Sequence, residues 1–239
     1  MKGGVAHEGS GSVAGIDLAG SERRSTGVAL MDRAFRVETC VVRSDSELWD
    51  WISSGHPRLL VVDAPLSLPR GRASLDVRSP IHFRKCDREL RQMGIPFFPV
   101  TLGPMRMLTA RGIRLRDRLV AEGYEVHEGY PGGAQDIWGI SRKQAGVERL
   151  RRALRRRGCS GTIEHRRITH DELDAVTLAL VGLELLDGRA LIIGDPSEGT
   201  IVLPNVPTEP PGAGRLPLRR AERTRQPTPF TGREGEDGR

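Results

Sequence analysis

The chain has 239 residues, a formal charge of +6, 37% hydrophobic residues and only 4% aromatic ones. That length suits one domain with extensions and is enough to bury a sizeable core, and the basic balance excludes an acidic, solvating protein. All but three of the 37 basic residues are arginine, the lysines being Lys2, Lys85 and Lys143. Guanidinium grips phosphate as a fork, and a GC-rich coding composition produces the same bias, so both origins stay open.

Glycine and proline cluster toward the two ends. They predict a flexible N-terminus over 1–12, a folded domain over 13–204 and a disordered basic tail over 205–239. Cys40, Cys86 and Cys159 are odd in number and far apart, which offers neither a C-x-x-C zinc pair nor a disulfide framework. Residues 1–12 have no apolar core, so no signal peptide is expected. The longest apolar run, Leu173 to Leu186, carries Asp174 and Glu184 and is too short to span a bilayer. A cytoplasmic protein with no membrane partner is expected, of unknown oligomeric state.

In chain order, Val13–Leu18 reads as a buried strand running into the turn Ala19–Gly20, followed by strands at Thr26–Met31 and Ala34–Val42. Their short connections favour an antiparallel meander. Ser44 or Ser46 caps a short helix that Gly55 and Pro57 stop. Leu59–Asp63 is then a strand covered on both faces. Residues 64–80 form a long Pro/Arg/Ser-rich loop, a kind of segment that is often functional. Helices are predicted over 82–93 and 105–122, then a strand over Tyr124–Glu128 and a turn over Gly129–Gly133. Residues 141–157 read as one very basic helix, and between Arg142 and Arg167 ten Lys/Arg face two Glu. Thr169 and Glu172 form a capping box for a helix to Leu186, and 190–193 with 200–203 give a small terminal strand pair. The fold class is α/β, a mixed sheet flanked by helices.

Acids stand where burial makes them costly. Asp17 and Asp63 end apolar strands, and an unpaired carboxylate there needs a cation, a hydrogen-bond cage or a metal. Capping a turn is the ordinary role of one such residue; two on neighbouring strands ask for more. Asp171 and Asp174 sit on adjacent turns of one helix face. Asp171 suits the helix dipole, whereas Asp174 heads a stripe continued by Leu178 and Val181. Glu128 ends another strand. If these acids converge they form an oxygen-rich cage of the kind Mg2+ or Mn2+ accepts, and two such ions about 4 Å apart promote phosphodiester cleavage without a Ser or Cys nucleophile. The chain has no phosphate-binding G-x-x-x-x-G-K-[ST] loop and no G-x-S-x-G elbow.

The element order resembles the ribonuclease H-like fold. G-I-D-L-A-G (15–20) is similar to its first-strand Asp motif, and H-D-E-L-D-A-V-T-L-A (170–179) to the D-x-x-D-A helix of Holliday-junction resolvases. Four further segments resemble the domain of unknown function 429, a family of predicted nucleases of this fold. They are V-V-D-A-P-L-S-L-P (61–69), R-K-C-D-R-E-L-R (84–91), E-G-Y-P-G-G-A-Q-D-I-W-G (128–139) and G-D-P-S-E-G-T-I-V-L-P (194–204).

The resemblance implies a metal-dependent nuclease with Asp17, Asp63, Glu128, Asp171 and Asp174 as catalytic acids. Asp17, Asp63 and Asp174 would be the ligands of Mg2+ or Mn2+ and would face one cleft. Where the resolvases usually carry Glu as the second acid, this chain has Asp63. Arg84, Lys85, Arg88 and Arg91 on one helix, and Arg151, Arg152 and Arg155 on the basic stretch, are the candidates for binding the phosphates of DNA or RNA. His170 is a candidate proton-transfer group, Tyr130 and Trp138 are candidate base-stacking residues or core, and Cys86 reads as a small buried hydrophobe. Two rivals remain: a non-catalytic nucleic-acid-binding protein of the same fold, and a sugar-kinase-like phosphotransferase, for which the chain lacks a second domain.

Overall fold

The apolar run after Ser12 forms β1 (Val13–Asp17) in a computed structural model that describes residues 11–165 and 167–205. The expectations for residues 1–10 and 206–239 lie outside the described residues. β1 pairs antiparallel with β2 (Thr26–Met31), from Val13 opposite Met31 to Asp17 opposite Gly27. β2 pairs antiparallel with β3 (Arg36–Val42), which completes the expected meander. β3 starts two residues later than its apolar pattern suggests. The Asp32 carboxylate accepts the backbone N–H groups of Ala34 and Arg36, and Phe35 adopts φ 60°, so these residues form a turn.

Ser44 and Glu47 close a capping box at the start of α1 (Asp45–Gly55). This helix is the crossover to β4 (Leu59–Val62), which lies parallel to β1. After the long loop come α2 (Lys85–Gln92), α3 (Met105–Ala121) and β5 (Glu125–Gly129), the last parallel to β4.

Two sequence readings change here. The stretch expected as a turn over 129–133 starts a helix instead, α4 (Pro131–Ile137), because Pro131 occupies the first helical position, where its missing N–H costs nothing. The basic stretch is not one helix. Gly146 takes φ 108° and separates a 3-10 turn at Lys143–Ala145 from α5 (Val147–Arg156). The short β6 (Ser160–Gly161) and α6 (Thr162–His165), which no periodicity announces, follow it. α7 (His170–Leu186) begins at the predicted Thr169–Glu172 capping box.

The chain ends its sheet with the hairpin of β7 (Ala190–Asp195) and β8 (Gly199–Pro204). β8 also pairs parallel with β5, so this hairpin extends the main sheet. The eight strands run in the order β6-β3-β2-β1-β4-β5-β8-β7.

Alternation along β1 and β4 divides the core in two. Val13, Leu59 and Val61 face α5 and α7, whereas Ala14, Ile16, Leu60 and Val62 face α1 and α3. α7 lies against the sheet so closely that a Cβ built on Gly15 would fall 1.9 Å from the Ala175 carbonyl oxygen. One on Gly27 would fall 2.2 Å from the Asp171 backbone. Glycine at these two positions is what lets the start of α7 reach the end of β1. No helix among the described residues is long and apolar enough to cross a membrane.

Candidate active site

The parity that sends Val13 and Gly15 toward α7 sends Asp17 the same way. Its strand partner is Gly27, the residue against which Asp171 packs. The other end of α7 meets the other end of β1, where Gly182 approaches Val13. The first turn of α7 therefore stands over the C-terminal end of β1. Asp17 and Asp171 line one cavity of about 340 Å³ with Ser21, Arg24, Ser25 and Leu108. The Ser25 hydroxyl donates to Asp171 Oδ2 at 3.2 Å, which fixes one oxygen of that carboxylate.

Asp63 extends the parallel ladder by one residue, its N–H donating to the Ile16 carbonyl at 2.8 Å. It sits beside Asp17 in register but lines a second, smaller cavity of about 170 Å³ with Phe97, Phe98 and Tyr130. Asp174 is buried one helical turn beyond Asp171, where Gln135 Nε2 of α4 donates to its Oδ1 at 2.8 Å. The four aspartates thus gather at one end of the sheet. Among the described residues, however, no three or more His, Cys, Asp or Glu side chains form a group that could hold a metal ion.

Glu128 belongs to a different arrangement. Val126 packs on the α1/α3 side, and Gly129 meets Leu178 of α7, so Glu128 projects away from α7. There Arg84 grips it with two bonds, Nη1 to Oε2 at 2.6 Å and Nη2 to Oε1 at 2.7 Å, and the Leu66 N–H donates to it at 2.8 Å. Arg84 also binds Asp87, and its side chain is 1% exposed. Burial works against the Arg84 charge, but the two carboxylates outweigh it and hold the guanidinium well above its ordinary pKa. Burial pushes the Glu128 carboxyl up, with Arg84 pulling against it. Arg84, expected at a phosphate, is instead the internal cation of this cluster, and Glu128 is its counter-ion.

The family model for "Protein of unknown function (DUF429)" matches residues 15–198. The chain belongs to the DUF429 family. No curated protein matches it with significant similarity. The matched span of this DUF429 chain holds all five acids and every lining residue of the two cavities except Ile201.

Outside that cluster the predicted phosphate contacts lie near acids, except Arg91, which stacks on Phe83. Arg151 and Arg152 both meet Glu148, and Arg155 meets Glu164 at 3.1 Å. Arg151 also donates to the Ile163 carbonyl. Lys85 and Arg88 are exposed, near Glu89 and Glu198. His170 is exposed at the first position of α7. Trp138 packs against the core with Arg157 stacked 4.2 Å from its ring centre, and the Tyr130 hydroxyl donates to the Pro96 carbonyl, so packing accounts for both rings.

Three residues of the DUF429 chain were missed in the sequence. Arg24 lines the carboxylate cavity from the β1–β2 loop, where its only sequence cue was a polar run after Gly20. Arg111 of α3 is buried and ties the Ala19 carbonyl to Asp45, which fixes the cavity wall. Arg72 donates to the carbonyls of Ser74, Leu75, Val77, Ser79 and Ile81, so one guanidinium organises the long loop. No local pattern announces a partner set by tertiary proximity.

Proposed function

We propose that this DUF429 protein is a divalent-ion-dependent nuclease on a ribonuclease H-like domain, acting on DNA or RNA in the cytoplasm. The observation that carries the reading is the cavity shared by Asp17, from the central strand, and Asp171, from the first turn of α7. The central strand order β3-β2-β1-β4-β5, with an antiparallel meander and two parallel strands, supports the fold part.

Mg2+ and Mn2+ prefer oxygen ligands, and Mg2+ is usually held by one or two carboxylates plus waters and substrate phosphates rather than by an all-protein cage. Asp17 and Asp171 meet that requirement without a third acid. Bound there, Mg2+ or Mn2+ would polarise a phosphoryl oxygen and acidify a water. Arg24, in the same cavity, meets the negative charge of the phosphate. Ser25 keeps Asp171 oriented, and Gln135 does the same for Asp174. Asp63, beside Asp17 in register, adds negative charge at the strand ends from the wall of the neighbouring cavity.

The test is cleavage of end-labelled DNA and RNA oligonucleotides with Mn2+ by the wild-type protein and by Asp17→Asn. The reading predicts turnover that falls at least about 100-fold in the variant, the scale of a lost electrostatic contact in a transition state. The hydrogen bonds already made to Asp174 and Glu128 favour a second reading, a non-catalytic nucleic-acid-binding protein. Salt-dependent binding with no turnover in the wild type would select it.

A further inference from the structure

We propose that the smaller cavity receives an unpaired nucleobase, so that the substrate is single-stranded nucleic acid taken without sequence preference. The inference rests on the nuclease reading of the neighbouring carboxylate cavity and names the substrate form that site accepts.

The two cavities share Met105 and Leu108 as a common wall. One side of that wall presents carboxylates and Arg24, and the other presents an apolar chamber of about 170 Å³. Phe98 stands at the chamber and is 77% exposed, the most exposed large apolar residue among the described ones. Leu102 and Met107 are also exposed along the same segment. Exposed apolar side chains gathered on one segment beside a polar cleft suit a surface that another molecule covers.

Charge identifies the occupant. Arg91 lies 4.6 Å from the ring centre of Phe83 and 5.9 Å from that of Phe97, so a cation is stacked against the aromatic wall. Arg24 supplies a second cation on the far side of Met105. An apolar aromatic slot flanked by two guanidiniums complements a ligand whose flat apolar part is joined to phosphates, which is a nucleotide unit.

The floor of the slot settles how the base is held. Arg84, Asp87, Glu128 and Asp63 line it; the first three are bonded together through Arg84, and Asp63 stands at the end of β4. Among the described residues no buried side-chain nitrogen or oxygen lacks a hydrogen-bond partner. The Arg84 cluster therefore offers little to read a base edge, which leaves Asp63 as the one other charged group of the lining, and binding comes mainly from stacking, which every base permits. A base paired within a duplex has both faces covered and cannot enter without leaving its stack.

The experiment measures binding of three fluorescent probes by the full chain in Ca2+, an ion used to hold back cleavage. They are a single-stranded oligo-dT, the same length as duplex, and an abasic strand with the same phosphates. Phe98→Ala, at a solvent-exposed position, should weaken oligo-dT binding by about 5- to 100-fold, the range of one lost base stack. It should leave duplex and abasic binding unchanged. Phe98→Trp should restore affinity, and its fluorescence should be quenched by oligo-dT and not by the abasic strand. Equal affinity of Phe98→Ala and wild type for oligo-dT would overturn the base slot and leave the nuclease reading standing. Wild-type protein that binds none of the three probes would overturn both.

Discussion

Asp17 and Asp171 line an open cavity with Arg24 and two serines, whereas Glu128, on a strand of the same sheet, is enclosed by Arg84, Asp87 and the Leu66 N–H. Both regions are acids at strand ends, and the difference between them is parity and partner. Asp17 continues the face that carries Gly15 and meets α7; Glu128 continues the face that carries Val126 and meets Arg84 at the N-terminal end of α2. A carboxylate with its own guanidinium is part of the structure, and removing that partner leaves a buried charge uncompensated. A carboxylate on a cavity wall is within reach of a ligand that enters the cavity. Position at a strand end is thus a poor guide to function until the face is known.

The comparison breaks most sharply at Arg84. Arg84→Ala should cost about 3–5 kcal/mol, on the order of 10 °C in Tm, because Glu128 and Asp87 lose their shared cation. Asp17→Asn should leave Tm unchanged or slightly raised while it abolishes cleavage. Thermal melts of the two variants side by side check this, and similar losses of stability in both would erase the distinction. The double variant Arg84→Met, Glu128→Gln should lose less than the two single changes together, since Asp87 is then the one charge of the cluster left alone.

Gly27→Ala should cost about 1–3 kcal/mol by overpacking against the Asp171 backbone. Because the clash lies at Asp171 itself, cleavage should fall by more than the loss of folded protein explains. Turnover measured below the variant's melting range separates the two effects.

Arg24→Gln should flatten the slope of log affinity against log salt by about one unit, as expected for one lost phosphate contact. Replacing Arg151, Arg152 and Arg155 together with Gln should change the slope by less than three such contacts, because Glu148 and Glu164 already pair with them. A steep loss of slope confined to the triple variant would move the substrate to α5.

The smallest effect concerns the thiols. Burial pushes Cys159 up to about 12 and raises Cys86 as well. At pH 8 both stay protonated and covered in the folded chain, so iodoacetamide should label the half-buried Cys40 first and the other two only on unfolding. Labelling of Cys86 as fast as Cys40 would mean that the Arg84 cluster opens readily.

Much of the architecture was legible because local signals agreed with one another. Thr26–Met31 is a strand to the residue, and the capping boxes at Ser44 and Thr169 set two helix starts. The failures have local causes too. Pro131 has the sequence context of a turn residue and is the first residue of a helix, and a single positive φ at Gly146 interrupts a stretch whose charge pattern runs straight through it. The site was legible in part. Apolar context marks Asp17 and Asp174, and the strand pattern of Val126 and Glu128 already contains the parity that separates Glu128 from them. Arg84 as its partner was not legible, since the pair is 44 residues apart in sequence and meets only once α2 packs against the β7–β8 hairpin beside β5. Arg24 was hidden for the same reason, in a short loop that becomes a cavity wall when Arg111 anchors Ala19.

The central claim is that Asp17 and Asp171 together hold a divalent ion, and the melting temperature in rising Mn2+ tests it most directly. An ion that binds only the folded chain adds about 2.7 kcal/mol at one hundred times its Kd, roughly 5–10 °C for a domain of this size. The account predicts that rise in the wild type, its loss in Asp17→Asn and in Asp171→Asn, and its retention in the surface variant Asp195→Asn. A wild-type Tm that ignores millimolar Mn2+, or an Asp17→Asn protein that responds as the wild type does, would contradict it.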